Sequence, residues 1–149
     1  MSSYSGVKIA PEVIEEFTKL KLKKAYKYII LKLSDDLKEV VVETTSSSED
    51  WEEFRNKLLE AKFKTPTGHT KSPRYAIYDL HYETPEGPRT RIIFIAWSPD
   101  DAGIKAKMTY ASSKDAAKRC LNGVHVEVQA NDNDDLEFKT FCDKATRSN

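Results

Sequence analysis

Lys105 and Lys107 flank the first turns of a helix-like segment whose apolar residues Ile104, Met108 and Ala111 fall at i, i+4 and i+7, on one helical face. A greasy stripe with cations beside it can enter a cleft on a partner. The same stripe serves equally well as ordinary core, and periodicity does not choose between the two. Arg89 and Arg91 follow a turn and alternate onto one face of a strand. They offer either a charged contact or a solvated edge that discourages aggregation. Lys19, Lys21, Lys23, Lys24 and Lys27 form a dense basic run, by default a solvated face. Phosphoinositide headgroups are the alternative, since a cytoplasmic leaflet attracts such clusters by about 1 kcal/mol per lysine. Ser5-Gly6-Val7 is a small segment able to lie against a partner's backbone, because glycine has no side chain to obstruct it; otherwise it is flexible tail.

Patterns for catalysis and metal binding are missing. The five glycines are isolated, with no GxGxxG and no GxxxxGK[ST]. His69, His81 and His125 are widely spaced, and none sits in an HExxH or CxxC context. His81 stands near Asp79 only through strand alternation and reads as a surface pair. Cys120 and Cys142 have no motif around them and read as free thiols in a reducing cytosol. No enzyme, no cofactor and no metal site is expected.

The bulk numbers narrow the partner classes. The chain has 149 residues, 39% hydrophobic and 32% charged, the size and composition of one globular domain. Lys plus Arg and Asp plus Glu both number 24, so nothing draws the chain as a whole to nucleic acid, and charged partners must be met by local patches. No apolar run approaches the roughly 20 residues of a membrane span. The start, MSSYSGVKIA, lacks the apolar region of a secretory signal.

The elements that must position these residues follow from pattern. Residues 1–10 read as a flexible tail. Pro11 suits the first position of a helix over residues 11–21, with Val13, Ile14, Phe17 and Leu20 at helical spacing. Residues 26–33 and 39–45 read as a hairpin about Ser34-Asp35-Asp36. The polar run 46–50 suits a helix start before Trp51, Phe54 and Leu58. Residues 62–74, with two prolines and a glycine, read as a loop. Residues 75–83 and 90–97 read as strands joined by a turn, the second apolar enough for burial on both faces. A helix follows Ser98-Pro99-Asp100-Asp101 and stops at Asn122-Gly123. Residues 124–129 alternate as a half-covered strand, and 131–135 read as an acidic cap for a last helix carrying Leu136, Phe138 and Phe141. This order predicts an α/β fold of the α+β type, one domain over 1–149 with a central mixed β-sheet and helices on both faces.

Particular words in the chain carry more. WSPD at 97–100, KxKMxYASSKDA at 105–116 and LNG at 121–123 together resemble the signature of the actin-depolymerising factor/cofilin family. Ser5-Gly6-Val7 is similar to the family's N-terminal tag, and Tyr75-Ala76-Ile77-Tyr78-Asp79 to its central strand. The resemblance covers nearly the whole chain. It implies a gelsolin-like three-layer ADF-homology domain, expected as a monomer, that binds actin monomers and filament sides, prefers the ADP-bound form, and severs and depolymerises filaments. It assigns Ser5, Gly6, Val7, Ile104, Lys105, Lys107 and Met108 to the actin contact shared by monomer and filament. Arg89, Arg91, Asp143, Lys144 and Arg147 go to a second, filament-only contact. Ser5 occupies the position whose phosphorylation inactivates many members. A cytoplasmic place on the actin cytoskeleton follows, with nuclear entry a weaker option. Two other readings stay open: a non-severing relative that binds actin or an actin-nucleating complex, and a phosphoinositide-regulated membrane adaptor.

Overall fold

Alternation and β-branching place the strands. In the computed structural model, which describes residues 6–65 and 68–147, they form β1 (Lys8–Ile9), β2 (Tyr28–Leu33), β3 (Glu39–Ser46), β4 (Lys62–Thr65), β5 (Gly68–Lys71), β6 (Arg74–Thr84), β7 (Gly87–Trp97) and β8 (Val126–Ala130). The helices are α1 (Pro11–Lys23), α2 (Trp51–Leu59), α3 (Ile104–Arg119) and α4 (Phe138–Arg147). Ser5 lies outside the described residues.

Six strands make one sheet in the order β1-β3-β2-β6-β7-β8. Its inner pairs are antiparallel, while β1 on β3 and β8 on β7 are parallel. A parallel step needs a crossover, and α3 supplies it between β7 and β8. The pleat then sorts side chains. Ile29, Leu31, Tyr75, Ile77, Ile92 and Phe94 face α1 and α3, meeting Val13, Phe17, Leu20, Ala106, Tyr110 and Ala117. Tyr28, Ile30, Tyr78, Leu80, Ile93 and Ile95 face α2 and α4, meeting Phe54, Leu58, Phe141 and Ala145. The expected mixed sheet with helices on both faces is therefore the fold. On the second face Trp51 is the hub, its ring centroid 4.7 to 5.2 Å from those of Tyr78, Phe141, Phe54 and Phe138, with Nε1–H donating to the Leu136 carbonyl at 2.9 Å.

Three expectations are corrected. From residue 7 onward the predicted tail is packed chain: Val7 and Ala10 are buried, and Lys8–Ile9 pairs with Glu39 and Val40. The apolar residues of this segment had a vacant sheet edge to cover. The predicted loop 62–74 holds a two-stranded ribbon, β4 paired with β5, whose Gly68 takes φ 138°, a conformation open to glycine; Pro73 falls beyond the ribbon and interrupts no ladder. The predicted last helix is broken. Asp132 and Asp135 cap each other's backbone to close a 3-10 turn (Asn133–Leu136), and Glu137 is extended, so Leu136 belongs to the turn and α4 starts at Phe138.

Candidate functional site

The loop before α3 is tied down from two directions. Ser98 N–H donates to the Ala130 carbonyl at 2.9 Å, and Asn131 Nδ2 donates to the Ser98 carbonyl at 2.9 Å. Across the loop, Lys71 Nζ of β5 lies 3.5 Å from Asp101 Oδ2. Gly103 is the N-cap of α3, in extended backbone, and no side chain caps the helix there. The first turn carries no acid. By contrast, α2 has the Asp50 carboxylate accepting from Glu52 N–H and two acids in its first turn. The positive end of the α3 dipole is thus left uncompensated, with Lys105 and Lys107 adding to it.

Tyr110 seats the helix on the sheet. Its hydroxyl oxygen accepts the Leu33 N–H at 2.9 Å, and its carbonyl accepts the Tyr75 hydroxyl. The two rings stand 5.3 Å apart. Burial pushes both phenols above their ordinary range, so each stays neutral. Farther along, Lys114 and Lys118 reach the Glu127 carboxylate of β8 at 2.9 and 2.7 Å. Burial raises that carboxyl's pKa, but the two lysines outweigh burial and hold it below the ordinary value.

This seating settles which way the stripe points. Ala106, Tyr110, Ser113 and Ala117 are buried. Two residues along a helix is about 200° of rotation, so Ile104 and Met108 must point away from the sheet. They are 77% and 67% exposed, and Ala111 and Lys105 are exposed too. Lys107 is half-buried, its Nζ donating to the Asp100 carbonyl at 3.1 Å. The core option for the Ile104 stripe is excluded.

The N-terminal segment reaches the same end of the sheet. Ile9 pairs with Val40, and Val40 pairs with Leu33, the residue bonded to Tyr110. Two ladder steps separate Ile9 from Leu33, about 10 Å. Val7 joins the same apolar cluster as Ala106 and Tyr110, while Gly6 is exposed at φ 75° with open space around it. Gly6, Val7 and the start of α3 therefore cluster at this end, with the ribbon at the α3 start.

Arg89 and Arg91 lie elsewhere. They share the alternation of Ile93, Ile95 and Trp97 and so project on the α2/α4 face. They pair with Tyr82 and Leu80, which belong to the same cluster as Ala145 of α4. Asp143, Lys144 and Arg147 flank Ala145, with Asp143 and Arg147 exposed. Eight residues of strand separate Arg89 from Trp97, about 26 Å. The expected site residues thus fall into two groups at opposite ends of one ladder.

Four lysines of the basic run from Lys19 to Lys27 have partners within the chain. Lys19 pairs with Glu16 at 3.1 Å, Lys21 Nζ donates to the Asn122 carbonyl at 2.8 Å, Lys24 lies 3.8 Å from Asp79, and Lys27 sits over the Tyr78 ring at 5.7 Å. His81 Nε2 is 3.4 Å from Asp79 Oδ2, but only His81 is exposed; Asp79 is buried, so the surface pair expected from alternation is corrected to a buried carboxylate with an exposed imidazole at its edge. His125 Nδ1 accepts the Ile92 N–H and closes the start of β8. Sequence reasoning passed over Arg74, buried on β6, which grips Glu43 at 2.7 and 3.3 Å and the Lys62 carbonyl at 3.2 Å, pinning the ribbon's base. The ribbon did have a signal, the alternation of Lys62-Phe63-Lys64-Thr65 before a Pro-Thr-Gly turn.

Comparison with known proteins places this geometry. A family model described as cofilin/tropomyosin-type actin-binding protein matches residues 6–146. The chain is 53% identical over 142 residues to a cofilin of Gibberella zeae, covering 93% of each chain. It is 43% identical over 145 residues to a cofilin of Schizosaccharomyces pombe, covering 97% of this chain and 98% of that one. The crystal structure of a Streptomyces griseoflavus cofilin superposes with a TM-score of 0.84 at 38% identity, over 97% of this chain and all of that one. The match runs through the N-terminal strand, the Tyr110-seated helix and α4, so the chain belongs to the actin-depolymerising factor/cofilin family.

Proposed function

We propose that this protein binds actin monomers and filament sides through the exposed face of α3 together with Gly6 and Val7, severs and depolymerises filaments, and acts by binding energy rather than bond chemistry. The observation that carries the reading is the outward stripe of Ile104 and Met108 beside an uncapped, cation-flanked helix start. Exposed apolar side chains at a positive helix terminus are suited to a partner cleft with an acidic rim. Arg89, Arg91, Asp143, Lys144 and Arg147 form the second contact, made to a neighbouring subunit in the filament. A protein that binds a twisted filament better than a relaxed one shifts the filament toward the twist by that differential affinity. Strain where decorated and bare segments meet then favours breakage. Preference for ADP-bound actin, a monomeric state and a cytoplasmic location complete the proposal. Four of the five lysines between Lys19 and Lys27 have partners within the chain, which leaves a membrane adaptor the weaker reading.

A matched pair of variants tests it. Lys105→Ala/Lys107→Ala removes two charge-assisted contacts, each worth about 1.5–3 kcal/mol when desolvated, so monomer affinity should fall at least about tenfold with melting unchanged. Arg89→Ala/Arg91→Ala should spare monomer affinity, weaken filament co-sedimentation moderately, since exposed pairs contribute about 0.2–1 kcal/mol each, and reduce severing more. Wild-type monomer affinity in the folded lysine variant sinks the α3 assignment. Equal losses in both assays for the arginine variant sink the two-surface assignment.

A further inference from the structure

We propose that the β4–β5 ribbon is an additional docking element, whose basic face meets an acidic patch on the same actin subunit that α3 engages. The inference rests on the α3 reading and extends it to a part of the chain that no assigned contact uses.

Three observations carry it. The first is charge. From Ala61 to Arg74 the chain has Lys62, Lys64, Lys71 and Arg74 and no Asp or Glu. Arg74 is buried against Glu43, so the ribbon itself presents three lysine positions uncompensated from within. The second is register. Lys62 pairs with Lys71 and Lys64 with His69, and the pleat gives these four positions one face of the ribbon. Like charges directly opposite one another cost stability, and a lone two-stranded ribbon is marginal already. This arrangement works against folding and in favour of meeting an acidic surface.

The third observation is placement. Lys71 is bound to Asp101, three residues before Ile104, and the Thr70 hydroxyl lies against Gly103, the N-cap of α3. Ser72 N–H donates to the Ala61 carbonyl at 3.1 Å, closing the ribbon's base. The ribbon therefore stands beside the uncapped helix start, with the Thr70 face toward Gly103; Lys71 is neutralised by Asp101, which leaves the Lys62 and Lys64 positions to add to the positive field there. Whatever acidic rim receives Lys105 is within reach of the ribbon.

Lys62→Gln/Lys64→Gln in the whole protein tests this, with monomeric actin titrated at low and high salt. Removing two cationic positions predicts a roughly threefold to tenfold loss of affinity at low salt, narrowing at high salt. The melting temperature should hold or rise, because Lys62 no longer opposes Lys71. Lys64→Gln alone, away from the ribbon's base, should show a smaller loss in the same direction and serves if the double variant folds poorly. Lys105→Ala/Lys107→Ala is run alongside. A loss there with none in the ribbon variants overturns the ribbon proposal and leaves the α3 reading standing. No loss in either set overturns the α3 reading and this inference with it. Vesicles containing phosphoinositide form the third arm: ribbon variants that lose vesicle binding but keep actin affinity make the ribbon's partner a membrane, and the proposal fails.

Discussion

Ile104→Ala/Met108→Ala should damage binding without touching the fold. Each substitution removes three heavy atoms beyond Cβ, and burying such atoms is worth about 0.8 kcal/mol per methylene. Only the surface now exposed can be gained on binding. With 77% of Ile104 and 67% of Met108 exposed, full burial against a partner yields about 1.8 and 1.6 kcal/mol. The sum corresponds to an affinity loss of about two orders of magnitude, an upper bound because part of each side chain can stay wet in the complex. Stability should hold or rise slightly. Neither side chain is in a core cluster, and alanine is the better helix former. The measurement pairs fluorescence titration of monomeric actin with a thermal melt. A well-folded variant with wild-type affinity would refute the stripe as a contact. A melting temperature lowered by many degrees would show that the stripe supports the fold, contrary to its exposure.

Three further outcomes follow from particular groups. Ser5→Glu should weaken actin binding while Ser5→Ala does not, because Ser5 precedes Gly6 and Val7 in the chain and a negative charge on that segment would compete with actin's acids for Lys105 and Lys107; equal affinity of the two variants in titration removes Ser5 as a switch. Tyr110→Phe leaves the buried Leu33 N–H without its acceptor at a cost of about 1–3 kcal/mol, which should lower the melting temperature by about 2–10 °C; an unchanged melt shows that the bond carries no stability. Glu127, held below its ordinary value of 4.5 by Lys118 and Lys114 against the opposing effect of burial, stabilises the fold above that pH, and the contribution is lost as pH falls through the folded value; Glu127→Gln should flatten the acid limb of stability against pH, measured by denaturant melts, and an identical limb in both proteins excludes the linkage.

The main elements were legible because their patterns admit one solution. β6 and β7 are apolar runs with a turn between them, and strands paired on both sides and covered on both faces read in that way. The orientation of α3 was not legible. Two stripes on that helix obey the same period: Ile104-Met108-Ala111 and Ala106-Tyr110-Ser113-Ala117. Hydropathy favours the first, and the sheet takes the second, since small side chains let the helix approach closely while Tyr110 alone reaches the Leu33 amide. The hydrophobic residues were spent on the surface, as a binding function requires and a core does not. The ribbon and β1 escaped for another reason. Both are short, and each is held by contacts distant in sequence: Arg74 to Glu43 and Lys62, Lys71 to Asp101, Ile9 to Val40. Local propensity has no access to such anchors. Among the candidate site residues, the grouping at two ends was readable only in part. Alternation put Arg89 and Arg91 on one face, but that α4 covers the same face is a tertiary fact.

The proposed severing activity depends on how the two ends are joined. The β6–β7 ladder runs unbroken from Arg74 opposite Trp97 to Thr84 opposite Gly87. Its Trp97 end leads into the loop that positions α3, and its other end carries Arg89 and Arg91. Tyr75 of β6 bonds Tyr110 directly, so α3 is fastened to the same strand that reaches the hairpin. Had the two contacts been linked by a flexible segment, each would bind its own actin subunit without constraining the angle between them. From Ile92 to Trp97 the ladder is buried and flanked by neighbouring strands, and such close-packed interiors deform in discrete steps, while Arg89 and Arg91 stand on the two-stranded arm that continues the same two strands past it. Occupying both ends therefore constrains the relative placement of two actin subunits far more than a flexible linker would, and mismatch with the bare filament is shared between the hairpin arm and the filament. On this reading the stiffness of the sheet converts two ordinary binding surfaces into a device that imposes twist, and no catalytic group is needed for the filament to break.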